Sequence, residues 1–492
     1  MSRIIIQNGN MCELDLPLRF AQKLYAEFAI RHPNAFYLRT RQRGMQNWDG
    51  KIHYINKHGE FKIGLLPAVY EKCTEYGIKP KVVDMRQPLP KVSKVVTKIG
   101  EYKLRPEQEK AVKAVINNKV GKVPFQIGVL DYTVNAGKTL IMSSLYLSYK
   151  KQLKTLLITN DSDWLNQARY EFKKYLPGEQ ITFVQGKVLN WSNFTIGMVQ
   201  SISRNMRFYQ NELAKVDMVL VDEADQAGSK QYQNVLTRLF NTRVRIGLSG
   251  TIYMSKLAKD KVKNMNLEVF FGKVLAEFKL KDSIKKGYST RTIVKMVPSK
   301  PWYGNWESEE VSYKEVYDDS ITFNKYARKM VYARLKWNIK QGRYPALVVC
   351  KFIAHCEKLC KYFKKKLGSK YNIACVHVDT PSKIRQQIMK DFREGKIDIL
   401  VSTTIIARGK NFPKLRYLLN AASMDSQEKS IQFLGRLVRT DSSKKKVYFD
   451  DLHYPGPYLN RHGKHRKQYY QKQELKVILL EKIWKNHPIH SL

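Results

Sequence analysis

An apolar run ending at Leu130 leads into Thr133-Val134-Asn135-Ala136-Gly137-Lys138-Thr139, and a helix-forming stretch, Leu140 to Tyr149, follows. Backbone N–H groups of such a turn, with the positive end of the next helix, form a nest for a triphosphate. There Lys138 would lie against the β and γ phosphates, and the Thr139 hydroxyl would fill one Mg²⁺ position. Gly-Lys-Thr alone is a common tripeptide, and Tyr132 stands where the full phosphate-loop pattern has its first glycine. The strand before and the helix after give the segment its meaning. A second constellation, Asp222-Glu223-Ala224-Asp225, closes the apolar run Met218 to Val221. A carboxylate at the end of a buried strand can reach a metal ion held by a neighbouring phosphate loop, and an adjacent one can orient the attacking water. Asp222 is therefore the candidate Mg²⁺ ligand and Glu223 the candidate catalytic base; the plainer reading is an acidic helix N-terminus. Farther along, Gln432-Phe433-Leu434-Gly435-Arg436-Leu437-Val438-Arg439 sets two arginines three apart, so a helix would put both on one face. Guanidinium groups there could reach across a cleft between two lobes to a γ-phosphate, where such a finger contributes roughly 10³ to 10⁵ in rate. Hydrolysis would then require the lobes to close. Two surface arginines on a basic protein are the alternative.

Groups so far apart in sequence need a scaffold that brings them to one edge. From about Lys98, short apolar runs alternate with helical stretches: Ile127 to Leu130, Thr155 to Ile158, Thr195 to Val199, Met218 to Val221 and Val244 to Leu248. That alternation is the signature of a parallel sheet wrapped by helices. Pro301 to Asp319, rich in Trp, Gly, Pro, Ser and acidic residues, reads as a connection. A second series then runs through Ala346 to Val349, Ile373 to His377, Ile399 to Ser402, Tyr417 to Asn420 and Val447 to Phe449. The expected organisation is a small basic α+β domain over 1–95, a first α/β lobe over 96–295, a connection over 296–325, a second lobe over 326–455, and a basic helical tail over 456–492. In the first domain Leu18, Ala21, Leu24 and Phe28 have helical spacing, and a second helix is expected near Pro67 to Tyr76. Between them Arg39, Arg41 and Arg43 alternate with Leu38, Thr40 and Gln42; a strand would place the three guanidinium groups on one face, suited to phosphates or to a solvated sheet. Trp48, Tyr37 and Tyr54 near that row could stack on unpaired bases, or simply fill a small core. In the tail, Leu475, Ile478, Leu479 and Ile483 have helical periodicity.

Composition narrows the partners. The 492 residues carry 88 Lys plus Arg against 43 Asp plus Glu, a net charge of +45, with 43% apolar and 11% aromatic residues. That apolar content fills several cores and excludes a disordered polycation. Such charge favours polyanions through counterion release, nucleic acid first and an anionic membrane surface second. No signal-peptide core and no spanning run of about 18 apolar residues is visible, so an intracellular protein that does not cross a membrane is expected. Six cysteines are too few for a disulfide framework. Cys350, Cys356, Cys360 and Cys375, with His355 and His377, fall on strand, helix and strand, which reads as buried thiols rather than a zinc site.

Taken together, these motifs resemble those of the superfamily 2 helicases, from about Tyr102 to Leu452. Leu104-Arg105-Pro106-Glu107-Gln108 resembles the family's adenine-reading motif, which implies that Gln108 contacts the base and that Arg105, like Gln432, belongs to the nucleotide site. Leu248-Ser249-Gly250-Thr251 resembles the coupling motif, Thr403-Thr404 to Gly409 resembles motif V, and Gln432 to Arg439 resembles motif VI, in family order. The resemblance implies two RecA-like lobes and bound ATP with Mg²⁺. It implies coupling through Ser249, Thr251 and Gly409, and nucleic-acid contacts from Thr159, Asn160, Gln200, Ser201, Thr404, Arg408 and Lys410. Asn47-Trp48-Asp49-Gly50-Lys51, the loop ending Ala136-Gly137-Lys138-Thr139, and Gly247-Leu248-Ser249-Gly250 look like the UvsW group of phage helicases. That likeness implies a monomeric, cytoplasmic motor on branched or single-stranded DNA, remodelling forks, junctions and R-loops and promoting annealing in recombination, repair or replication. An RNA helicase, a duplex translocase and a non-catalytic annealing scaffold stay open. Asn135 replaces a common family glycine, and Asn tolerates the left-handed backbone best among the other residues. Asn411 stands where motif V usually has Asp.

Overall fold

The computed structural model describes residues 2–41, 45, 47–149, 151–252, 258–299, 311–407, 412–425, 430, 433–435, 437–438 and 446–480. The chain forms two compact units, Met1–Phe278 and Lys279–Leu492.

In the first unit a seven-stranded parallel sheet runs in the order Ile181–Val184, Phe194–Met198, Thr155–Thr159, Met218–Asp222, Val244–Ser249, Ile127–Tyr132, Val274–Phe278. Strands such as Met218–Asp222 and Val244–Ser249 are buried along their whole length, which is why they read as continuous apolar runs rather than alternating ones. The sequence order of the three strands carrying the phosphate loop, the acidic motif and the coupling motif differs from their spatial order. Even so, parallel pairing brings their carboxyl ends to one edge, where ligands of such sheets bind.

The N-terminal segment adds a four-stranded sheet, Glu60–Lys62, Met11–Asp15, Arg3–Ile6 and Lys81–Asp84 in spatial order. Its helices are Leu18–Glu27, Ala35–Arg41 and Leu66–Glu75. One hydrophobic cluster runs from Ile4, Ile6, Leu66 and Val69 of this segment to Val129, Val219, Leu267 and Phe271 of the large sheet's layers. Polar contacts fasten the same seam. Arg245, with no exposed surface, donates to the Gly9 carbonyl at 2.8 Å and to Asn10 Oδ1 at 2.7 Å, while Asn10 Nδ2 donates to the Thr237 carbonyl at 3.0 Å.

The second unit holds another seven-stranded sheet, ordered Ile373–Val376, Ile399–Thr403, Ala346–Cys350, Tyr417–Asn420, Lys446–His453, Arg291–Pro298, Lys476–Leu479. All its pairings are parallel.

Three expectations are corrected. Arg39 and Arg41 lie on the helix Ala35–Arg41, not on a strand. Two residues apart on a helix is about 200° of rotation, so they do not share a face. Arg291–Pro298, expected to straddle the end of the first lobe, pairs residue for residue with Lys446–His453 and belongs to the second sheet. The tail does contain a helix, Leu459–Lys472, but Leu479 and Ile478 lie on an edge strand beside Ile293–Met296. A run that short satisfies helical and strand patterns alike, and pairing decides. Among the described residues no helix is long and apolar enough to cross a membrane.

Candidate nucleotide-binding site

The loop between the strand Ile127–Tyr132 and the helix Lys138–Ser148 owes its shape to two left-handed residues, Asn135 at φ 64° and Gly137 at φ 73°. At Gly137 a Cβ would meet Gln108 Nε2 at 2.3 Å, so a side chain there would push the Gln108 amide off its partner as well as strain the backbone. Gln108 is nearly fully buried and uses both ends of its amide. Its Oε1 accepts from the Arg105 N–H at 2.8 Å, and its Nε2 donates to the Ala136 carbonyl at 2.8 Å. Arg105 Nη1 donates to the Asn135 carbonyl at 3.3 Å. The segment expected to read the base therefore also fixes the loop's backbone.

Lys138 Nζ lies 3.0 Å from Asp222 Oδ1 across this edge. Burial pulls the Lys138 pKa down, but the carboxylates of Asp222, Glu223 and Asp225 more than offset it, so the net shift is upward and the ammonium stays charged. Glu223 follows in the left-handed region at φ 52°, an uncommon conformation for a non-glycine residue. Ser249 Oγ donates to Asp225 Oδ1 at 2.7 Å, and lies 3.1 Å from Thr251 Oγ1. The coupling motif is thereby joined to the acidic motif. A Cβ on Gly250 would come within 2.9 Å of Thr133 Cα, so the same motif also presses on the start of the phosphate loop.

Thr139 Oγ1 donates to Glu171 Oε2 at 2.8 Å, which leaves the lone pairs of its oxygen available. Asp222 Oδ1 is buried and accepts no hydrogen bond among the described residues beyond its ion pair. A hydroxyl and a carboxylate oxygen are the hard donors that Mg²⁺ takes, and the set fits that ion. No group of three His, Cys, Asp or Glu side chains poised for a metal occurs among the described residues, and Cys350, Cys356, Cys360 and Cys375 are free thiols.

Among the residues expected to touch nucleic acid, Thr159 Oγ1 accepts from the Asp161 N–H at 3.2 Å, and Gln200 Nε2 donates to the Asn160 carbonyl at 3.1 Å. Ser201 Oγ accepts from the Gly186 N–H at 3.1 Å. In the N-terminal segment Arg39 and Arg41 are exposed, and Arg41 lies over the half-exposed Tyr37 ring at 4.3 Å. Trp48 is partly buried, its Nε1 donating to the Lys51 carbonyl at 2.8 Å. Tyr54 packs on the core, with its hydroxyl donating to Asn266 Oδ1 at 3.1 Å. In the second unit Thr404 begins a short 3-10 turn, Thr404–Ala407, directly after the strand Ile399–Thr403. Arg43, Arg408, Gly409, Lys410, Asn411, Gln432, Arg436 and Arg439 lie outside the described residues.

Two residues of this edge escaped the sequence reading: Glu171, on the Thr139 hydroxyl, and Gln226, which pairs with Asn160. They are 32 and 66 residues from their partners. Gln226 is flagged only by its place just after the acidic tetrapeptide.

Comparison with known proteins follows the same division. The helicase conserved C-terminal domain family matches residues 328–441, and the type III restriction enzyme res-subunit family matches residues 101–254. Helicase 22 of Sulfolobus islandicus filamentous virus is 22% identical over 386 residues, covering 72% of this chain and 65% of that protein. The chain thus spans just under two thirds of that relative's length. Among solved structures, UvsW of bacteriophage T4 is 18% identical, with 97% of this chain and 98% of that one covered and a TM-score of 0.44. Dbp5 of S. cerevisiae, bound to RNA and ADP BeF3, is 14% identical, with 78% and 92% covered and a TM-score of 0.52. That last likeness is one of fold.

Proposed function

Because the chain belongs to superfamily 2 of the helicases, we propose that it is an ATP- and Mg²⁺-dependent motor on DNA that remodels forks, junctions and R-loops and promotes strand annealing. The observation that carries this reading is the Lys138–Asp222 ion pair at 3.0 Å beside a loop held left-handed at Asn135 and Gly137. A partly buried ammonium resting on the carboxylate of the acidic motif has an anionic partner to exchange for a terminal phosphate. When bound, Mg²⁺ offsets phosphate charge and polarises the group being transferred; Thr139 Oγ1 and Asp222 Oδ1 are the oxygens assigned to hold it. Glu223 accepts the proton of the attacking water, and Lys138 binds the terminal phosphates. Gln108 contacts the base, Arg105 and Gln432 also bind the nucleotide, and Arg436 and Arg439 supply guanidinium charge to the γ-phosphate. The nucleic-acid contacts assigned to Thr159, Asn160, Gln200, Ser201, Thr404, Arg408 and Lys410 are polar or basic groups suited to phosphates. They make the grip tolerant of sequence.

The net charge of +45 supports a polyanionic track and predicts annealing even without ATP. The literal string Asp222-Glu223-Ala224-Asp225 favours a second reading, an RNA helicase. ATP hydrolysis measured with single-stranded, duplex, forked and RNA ligands at two salt concentrations separates them. Forked DNA should stimulate most, with strand separation lost in Glu223→Gln. Stimulation by RNA alone would replace the DNA assignment, and strand separation that persists in Glu223→Gln would remove the motor.

A further inference from the structure

The strands Phe194–Met198, Thr155–Thr159 and Met218–Asp222 are neighbours in the first sheet, and each hands a side-chain amide to the edge beyond its carboxyl end. Gln200 lies in the helix Val199–Arg204, Asn160 follows its strand directly, and Gln226 ends the short turn Ala224–Gln226 after the acidic motif. They are joined in a chain. Gln200 Nε2 donates to the Asn160 carbonyl at 3.1 Å, and Asn160 Nδ2 donates to Gln226 Oε1. The far end of the chain has spare capacity. Gln200 Oε1 is buried and accepts no hydrogen bond among the described residues, and its Nε2 has a second hydrogen to give.

The turn that Gln226 ends is clamped on its other flank. Asp225 Oδ1 accepts from Ser249 at 2.7 Å and Asp222 Oδ1 faces Lys138 at 3.0 Å. Between the clamps sits Glu223 at φ 52°, a backbone setting that a non-glycine residue keeps only when its surroundings hold it there.

We propose that Gln226 is a positioning residue that couples the edge lined by Asn160 and Gln200 to the setting of Glu223. The inference rests on the reading of the chain as an ATP-driven nucleic-acid motor. A phosphate that draws a Gln200 N–H moves the Asn160 carbonyl bonded to it, and with it the Asn160 amide that holds Gln226. The turn carrying Glu223 is then set by whether nucleic acid is present. Coupling of this kind is reciprocal, so nucleotide must change nucleic-acid affinity by the same factor through the same three amides.

The test measures the affinity of the full chain for a fluorescein-labelled oligothymidylate, with and without the non-hydrolysable analogue AMP-PNP and Mg²⁺. The ratio of the two affinities is the coupling factor. Gln226→Ala should bring that factor down about two- to tenfold, the size of one amide hydrogen bond, while leaving affinity without nucleotide within about twofold. Gln226→Glu keeps the oxygen that accepts from Asn160 and should retain most of the wild-type factor, which also serves if the alanine variant folds poorly. A coupling factor unchanged in Gln226→Ala, or lost equally in Gln226→Glu, overturns the role given to Gln226. A wild-type factor of one would instead overturn the motor reading, and this inference with it.

Discussion

Replacing Lys138 with methionine keeps most of the bulk of the side chain and removes the charge that faces Asp222. The Asp222 side chain is 3% exposed and that of Lys138 17%, so water replaces the missing partner poorly. Glu223 and Asp225 also act on the ammonium, so its removal takes away positive charge that all three carboxylates share. Breaking a buried pair costs about 3–5 kcal/mol. Some water reaches the lysine, so the lower end, about 3 kcal/mol, is the expectation. At about 2 °C per kcal/mol for a unit of this size, the first melting transition should drop by about 6 °C. Mg²⁺ added without nucleotide supplies a replacement cation and should raise the variant's midpoint more than the wild type's. Nucleic-acid-stimulated ATP turnover should fall by about 10³ or more, with DNA binding largely intact. Differential scanning fluorimetry with and without Mg²⁺, beside a coupled ATPase assay, reads all of these. A variant that melts like the wild type refutes the electrostatic account of the pair. Unchanged turnover removes the ATPase reading altogether.

Ser249→Ala deletes the hydroxyl that donates to Asp225 Oδ1 at 2.7 Å; ATP hydrolysis should persist within roughly threefold while strand separation falls about tenfold, and parallel loss of both would contradict a coupling role. His355 is buried against Tyr317, with Nδ1 and the phenol oxygen 3.0 Å apart, and burial, partly countered by Asp318, pulls its pKa from 6.5 to about 3. Below pH 6.5 the unfolded chain takes up a proton that the folded chain refuses, so stability should fall by about 1.4 kcal/mol per pH unit down to about pH 3. Urea unfolding across that range should show a shallower slope in His355→Gln, and an equal slope would clear His355 of the effect. Alanine at Arg39, Arg41 and Arg43 together should lower the slope of log affinity against log salt by about 0.9 for each phosphate that is no longer neutralised. If the slope holds, these arginines do not touch the backbone.

The large sheets were legible because parallel strands covered on both faces leave continuous apolar runs, and Ile127–Tyr132 and Met218–Asp222 are of that kind. The turn from Thr133 to Gly137 was legible as a strand-turn-helix because Asn135 is a residue that accepts the backbone the turn needs. Short segments were not. Ala35–Arg41 is two turns of helix whose alternating arginines mimic a strand, and Lys476–Leu479 takes its form from the neighbour Arg291–Pro298, nearly two hundred residues upstream. Glu171 and Gln226 act through side-chain contacts between elements distant in the chain, and no local spacing encodes such a meeting.

The seam between the N-terminal segment and the large sheet has a mechanical meaning. A Cβ on Gly64 would meet the Glu268 carbonyl oxygen at 2.2 Å, and the Gly9 N–H donates to the Phe240 carbonyl at 2.6 Å, so the two backbones leave no clearance to slide. The four-stranded N-terminal sheet is therefore a fixed attachment of the half that carries Lys138, like a blade ground into its handle. Deleting the first ninety residues would strip Arg245 of the Gly9 and Asn10 acceptors it depends on and bare one side of the first unit's hydrophobic core.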